Sequence, residues 1–301
     1  MNAISIIRPL VVALLTAGVT LPAGVPPAVQ PFQPAPANLS IPMHNANSSS
    51  ALNWAGYVAT GGTYTSVSGS WNVPTIADGA ANVADATWVG IGGVTSTDLI
   101  QAGTEAIPDS RGNLVYQAWL ETLPQDSRVV PLSISPGDTV SVSITEASPG
   151  TWDVSFYDST TGKNYETNVR YDSSLSSADW VEEMPVEIGG TVGLDDFGTV
   201  NFTSGYAIKN GQAVTISGAG ARALTMDNSS GEAVATPSAL GAGGASFSIS
   251  RTNALSSPLV LSRNGLPFVA AASSPYAYAP SGGYTVRAHR GRGGYRVTFR
   301  F

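Results

Sequence analysis

The chain contains no cysteine, only two histidines and few charges, and each shortage removes a class of chemistry. Without cysteine there is no thiol nucleophile, no disulfide framework and no thiolate metal site. His44 lies in a Pro/Asn/Ser-rich stretch and His289 in an Arg/Gly-rich one, far apart in sequence. Neither a Ser/His/Asp triad nor a zinc centre has the side chains it needs, and no metal or other cofactor is expected. Charged residues are 12% of 301 positions, with 21 acids against 14 bases, so the net charge is -7 and the pI near 4.7. Such a surface gives no attraction to nucleic acid or anionic membrane, and in acid it loses charge rather than gaining strong repulsion. Carboxyl and amide groups are what remains for catalysis.

Against these absences stand 43% hydrophobic residues, enough for a substantial core, and 33 glycines among long Ser/Thr/Val-rich stretches. That combination is common in secreted β-sandwiches. From Asn53-Trp-Ala-Gly-Tyr-Val58 onward, short alternating runs are punctuated by Gly, Pro, Asp and Asn, the mark of many antiparallel strands. Strands are predicted at 63–71, 86–91, 114–123, 139–146 and 152–158, with turns at Ser135-Pro-Gly-Asp138 and Ser159-Thr-Thr-Gly162, the latter leading into a strand at 165–169. Trp152, Val154 and Phe156 fall on one face of theirs. No long segment has helical period, and no phosphate loop or internal repeat is present. The expected fold is all-β, two stacked antiparallel sheets.

The flanks read differently. Residues 1–23, with Arg8 before an apolar run and small residues near Ala17-Gly18 and Ala23-Gly24, have the pattern of a signal peptide; the run is short for a membrane-spanning helix. A secreted, extracellular chain is therefore expected. Residues 24–50 are rich in Pro, Ala and Ser and form a linker or short propeptide that cannot build a core. Residues 51–251 hold the folded domain. The segment 252–301 carries Arg263, Arg287, Arg290, Arg292, Arg296 and Arg300 and is read as an extension of unassigned role, as an added hairpin or a solvated tail.

Two segments offer candidate chemistry, Asp98-Leu-Ile-Gln-Ala-Gly103 and Ala178-Asp-Trp-Val-Glu-Glu183. If the second is extended, Asp179, Val181 and Glu183 share one face while Trp180 and Glu182 share the other, so only one of the adjacent glutamates can face a given cleft. In the strand through Val115–Glu121, Gln117, Trp119 and Glu121 likewise share a face. Residue spacing alone leaves open a solvated, sheet-edge glutamate with a purely structural role.

The motifs Asn53-Trp-Ala-Gly56, Trp88-Val-Gly-Ile91, Leu99-Ile-Gln-Ala-Gly103, Tyr116-Gln-Ala-Trp-Leu-Glu121 with Pro124, Pro136-Gly-Asp138, Ala178-Asp-Trp-Val-Glu-Glu183 and Phe197 to Phe202 follow one another in an order that resembles the eqolisin family of glutamic peptidases, the scytalidoglutamic peptidase-like acid peptidases of fungi, bacteria and archaea. The resemblance covers roughly residues 50 to 250. It implies a β-sandwich of two curved antiparallel sheets, jelly-roll or concanavalin-like, and an acid endopeptidase with no cofactor. It places the catalytic glutamine on Gln101 and the catalytic glutamate on Glu183, and it assigns Trp88, Trp119 and Glu121 to the substrate cleft. Polypeptides are the implied substrates; a monomer without nucleic-acid or stable membrane partners is expected. The chain departs from fungal members at Gly92, where they carry an acid, at Glu105, where they carry Asp, and at Thr122 and Leu123, where they carry aromatics. The competing reading is a lectin-like sandwich that hydrolyses glycans with Glu121 and Glu183 as paired carboxylates, or that binds carbohydrate on Trp88 and Trp119.

Overall fold

The computed structural model describes residues 50–76, 83–109, 112–185 and 192–257 in full, and the backbone of short strands at 187–188, 259–261, 267–269, 285–291 and 294–300. The expected signal peptide and all but the last residue of the Pro-rich segment lie outside the described residues. In the extension, the backbones of Thr285–Gly291 and Gly294–Arg300 pair antiparallel as a hairpin.

Among the described residues every regular element is a strand. Those that build the sandwich and its site are β1 (Trp54–Thr60), β2 (Tyr64–Asn72), β3 (Val83–Gly92), β4 (Leu99–Pro108), β5 (Leu114–Thr122), β6 (Thr139–Ser148), β7 (Thr151–Asp158), β8 (Lys163–Arg170), β9 (Ser177–Glu183), β10 (Thr199–Lys209), β11 (Arg222–Asp227), β12 (Ala233–Pro237) and β13 (Phe247–Arg251). One sheet runs β5-β4-β3-β9-β1-β11 and the other β8-β7-β6-β2-β10-β13-β12-β11, antiparallel throughout. Strand β11 joins them, pairing with β1 through Arg222–Leu224 and with β12 through Met226 and Asp227.

The alternation read from sequence is the reason this stack forms. Along β7, Trp152, Val154 and Phe156 are buried while Asp153 and Tyr157 are exposed. Asp158 accepts the Gly162 amide in the turn to β8, where Gly162 takes φ of 71°, a conformation that glycine adopts without steric penalty. Val89, Ile91, Ile100, Leu120 and Trp180 from the first sheet meet Val67, Trp71, Val142, Phe156 and Phe202 from the second in one apolar core. A buried indole still needs a partner for its N–H. Trp71 of the second sheet donates to Thr104 Oγ1 of the first at 2.8 Å, and Trp180 of the first donates to the Ser68 carbonyl of the second at 2.8 Å. The two tryptophans thus fix the sheets against each other from opposite sides.

The first sheet is buried on both faces. Its outward face carries a second apolar cluster, including Trp54, Trp88, Leu99, Trp119, Val181 and Leu224. Polar side chains set among those residues make up the candidate site.

Candidate active site

Strand register arranges this face in rows, because every second residue of an extended strand projects to the same side. Gln101 on β4 pairs with Glu121 on β5 and with Gly90 on β3, and Gly90 pairs in turn with Asp179 on β9. Two residues along each strand comes the row Val181, Trp88, Gly103 and Trp119. Two further on comes Glu183, Ala86, Glu105 and Gln117. Gln101 and Glu183 therefore lie on the same face of one sheet, with β3 between their strands. Trp88, Trp119 and Glu121 are on that face too. Glu182 points the other way, into the space between the sheets, where it accepts from Thr87 Oγ1 at 2.6 Å.

None of these groups is a solvated edge residue. Gln101, Glu183, Trp88 and Trp119 are 0% exposed and Glu121 is 1% exposed. Glu183 is held through both oxygens: Asn53 Nδ2 donates to Oε1 at 3.1 Å and Trp88 Nε1 donates to Oε2 at 2.8 Å. Asn53 is itself pinned, since its carbonyl accepts the Met184 amide at 2.9 Å. Two N–H donors on one carboxyl group suit the charged form, which can only accept. Gln101 is oriented from the opposite side, donating from Nε2 to Glu121 Oε2 at 2.6 Å. A primary amide has two hydrogens and two acceptor lone pairs, so one N–H remains for another partner, and Gln101 Oε1 accepts from no group among the described residues.

Burial works against the charged form of the other acids of this face. Burial pushes the Glu121 carboxyl well above the ordinary carboxylate range; the Gln101 hydrogen bond opposes this, and the charges of Glu183 and Glu105 add to it. Burial likewise takes Glu105 to about 8, against the bond that Gln117 Nε2 donates to its Oε1 at 2.7 Å. Asp179 is raised well above its usual value by burial, opposed by Ser177 and Arg222. Ser177 explains how that neutral acid is accommodated. Its single hydroxyl hydrogen can serve only one acceptor, while its Oγ lies 2.8 Å from the Gly92 carbonyl oxygen and 3.2 Å from Asp179 Oδ2. A protonated Asp179 donating to Ser177 Oγ satisfies both contacts at once.

The comparisons with known proteins bear on this arrangement. The family model for the peptidase A4 family matches residues 52–250, about two thirds of the chain. The chain belongs to the peptidase A4 family. Among curated relatives it is 28% identical over 208 residues to aspergillopepsin-2 of Aspergillus niger, covering 61% of this chain and 73% of that protein. It is 33% identical over 126 residues to scytalidopepsin B of Scytalidium lignicola, covering 41% of this chain and 46% of that protein. Among solved structures, scytalido-glutamic peptidase with a peptide-based transition-state analogue superposes with a TM-score of 0.55 at 25% identity, covering 66% of this chain and 98% of that one. A second eqolisin structure, of SCP-B in complex with the tripeptide Ala-Ile-His, has the same fold, with a TM-score of 0.53 at 24% identity and the same two shares of the chains. This A4 member is accordingly a glutamic peptidase of the eqolisin type, a hydrolase on an all-β sandwich. The kinship gives no support to the glycan-hydrolysing or carbohydrate-binding alternative.

Four side chains of this A4 peptidase's site received no role from the sequence. Glu105 and Asp179 were within reach of it, since each keeps period-2 step with Gln101 or Glu183 along its own strand. Gln117 was placed on the face of Glu121 but without a partner. Asn53 carries no such signal: it precedes β1, and only the pairing of β1 with β9 brings it to Glu183.

Proposed function

We propose that the chain is a secreted acid endopeptidase in which Glu183 and Gln101 act on one water molecule. The observation that carries this reading is the placement of both side chains on one sheet face, with Glu183 held by two N–H donors and Gln101 anchored by Glu121. Glu183, as carboxylate, takes a proton from water while the water oxygen attacks the peptide carbonyl carbon. The remaining N–H of Gln101 donates to the oxyanion that forms, and its Oε1 orients the water. Glu183 then delivers the proton to the amide nitrogen, the C–N bond breaks, and the products are a carboxylic acid and an amine. The carboxylate is regenerated without a covalent intermediate. Trp88 and Trp119 form the floor against which the substrate chain is held.

Cleavage of denatured protein at pH 3 to 5 that persists with pepstatin tests the activity. Gln101→Ala is expected to lower kcat about 100-fold to 1,000-fold, the usual loss for one oxyanion donor, with the fold intact by circular dichroism. A folded Gln101→Ala enzyme with undiminished turnover ends the assignment of that residue. Asn53→Ala removes one of the two donors on Glu183. A hydrogen bond to a charged group contributes about 1.5–3 kcal/mol, so kcat should fall by roughly tenfold or more while KM changes little. The amino-terminal pattern supports export, which is checked by finding in the medium a chain that lacks residues 1–23.

A further inference from the structure

Three of the glycines on the candidate face are imposed by the main chain. A Cβ on Gly56 would stand 2.0 Å from the Trp180 carbonyl oxygen, on Gly92 2.3 Å from that of Asp98, and on Gly103 2.1 Å from that of Thr87. Gly90 is different. Its φ lies outside the left-handed region, so the backbone there accepts any L-residue. What a Cβ would meet first is a side chain, Trp88 Cζ3 at 2.9 Å, followed by Leu99 Cδ1 and the Ile100 carbonyl oxygen at 3.1 Å.

The atom that occupies this space lies on the six-membered ring of the Trp88 indole, across the ring system from Nε1, which donates to Glu183 Oε2 at 2.8 Å. The indole lies along β3 with one end over Gly90 and the other on the glutamate. Trp54 meets it edge-on, with ring centroids 4.8 Å apart and planes at 79°, which limits sideways escape. A rigid planar ring held in this way moves as a unit, so raising the end over Gly90 displaces or tilts the end at Glu183.

We infer that Gly90 is a positioning residue for hydrolysis: its missing side chain is the seat that lets Trp88 lie flat and carry its indole N–H to Glu183. The inference rests on the reading of Glu183 as the general base. It adds a residue that touches neither substrate nor Glu183, and it predicts that Gly90 acts chiefly through Trp88, the contact that a Cβ would crowd most.

The test is a cycle of Gly90→Ala, Trp88→Phe and the double variant, with Glu183→Gln alongside. Gly90→Ala is expected to lower kcat about 10-fold to 100-fold with KM little changed, the range for a misplacement on the order of an ångström. In the Trp88→Phe background, where the far edge of the indole is gone, adding Gly90→Ala should cost much less than in the parent, so that the losses are strongly non-additive. A second readout is independent of turnover: the indole N–H resonance of Trp88, identified by its disappearance in Trp88→Phe, should move in Gly90→Ala toward the position of an indole with no carboxylate partner. Additive losses, or an unmoved resonance with full turnover in Gly90→Ala, overturn the inference. If Gly90→Ala fails to fold, the double variant decides: recovery of the fold supports the seat, and continued failure refutes it. Full turnover in folded Glu183→Gln would instead remove the catalytic reading, while the resonance would still report whether Gly90 seats Trp88.

Discussion

Replacement of Glu183 by glutamine is expected to lower kcat by about 1,000-fold to 10,000-fold at acidic pH while leaving the sandwich folded. The substitution keeps the shape of the side chain, so the row of Ala86, Glu105 and Gln117 beside it is undisturbed. An amide, however, has no basic lone pair that can take a proton from water and no acidic proton to return to the leaving nitrogen. General acid-base catalysis contributes roughly 100-fold to 10,000-fold, and here one group performs both transfers, which places the loss toward the upper end. The new NH2 must also face Asn53 Nδ2 or Trp88 Nε1, both of which are donors, so one of the two present hydrogen bonds is replaced by an opposed pair. Turnover of a denatured protein substrate at pH 3 to 5, with thermal melting as the control for folding, measures the effect. A folded variant at wild-type rate contradicts the mechanism.

The second large effect is on stability. Between the sheets, Asp85 on β3, Glu182 on β9 and Asp195 just after the short strand Gly193–Leu194 converge, each 2% exposed or less. Thr87 supplies one donor to Glu182, but Asp85 Oδ1, Glu182 Oε1 and both Asp195 side-chain oxygens have no hydrogen-bond partner among the described residues. The three acids are close enough that the charge of Asp85 bears on both Glu182 and Asp195. Burial and mutual repulsion both work against charging all three acids together, so the cluster favours partial protonation. The neighbouring cation relieves it only in part: the charge of Arg251 opposes the rise of Asp195, but its Nε donates to the Asp195 main-chain carbonyl at 3.0 Å and its Nη1 to the carbonyls of Val234, Thr252 and Ala254. Burial raises Asp85 to about 6 and lifts Glu182 and Asp195 well above the ordinary range, with mutual repulsion adding to the rise in the latter two.

The sign of the pH dependence follows directly. A carboxyl whose folded pKa is raised binds more protons folded than unfolded, so its contribution is fully present below the unfolded value near 4 and is lost as pH rises through the folded value. For Glu105, raised to about 8, the loss across pH 4 to 8 is on the order of 5 kcal/mol. A domain of ordinary stability has about 5–15 kcal/mol in all. With Asp85, Glu182, Asp195, Glu121 and Asp179 shifted in the same direction, the melting temperature should be highest near pH 3 to 4 and fall steadily above pH 5. Asp85→Asn lightens the interior cluster by one ionisable group and should move the midpoint of that loss upward by about one pH unit. Melting curves from pH 3 to 8 decide the matter, and a flat profile contradicts it.

The strand content, the two-sheet stack and the parity of Gln117, Trp119 and Glu121 were legible from residue order, because an extended backbone projects alternate side chains to opposite faces whatever surrounds it. The same rule separated Glu183 from Glu182, and register within the first sheet agrees with that separation. Which of the two lies outside the core between the sheets is a different matter, decided by which face meets the second sheet. Residue order left a sheet-edge glutamate open, whereas β9 is an interior strand, paired on both sides with β1 and β3. The contacts of Asn53 and Trp88 with Glu183, and the convergence of Asp195 on Asp85, span separations of 95 to 130 residues and 110 residues, respectively. No local pattern encodes such meetings. By itself the sequence determined the periodicity that sorts side chains to one face or the other; only tertiary structure decided which of those faces are dry, and burial is what works against the charged form of Glu105, Glu121 and Asp179, while the donors Asn53 and Trp88, also brought in by tertiary structure, are what suit a carboxylate at Glu183.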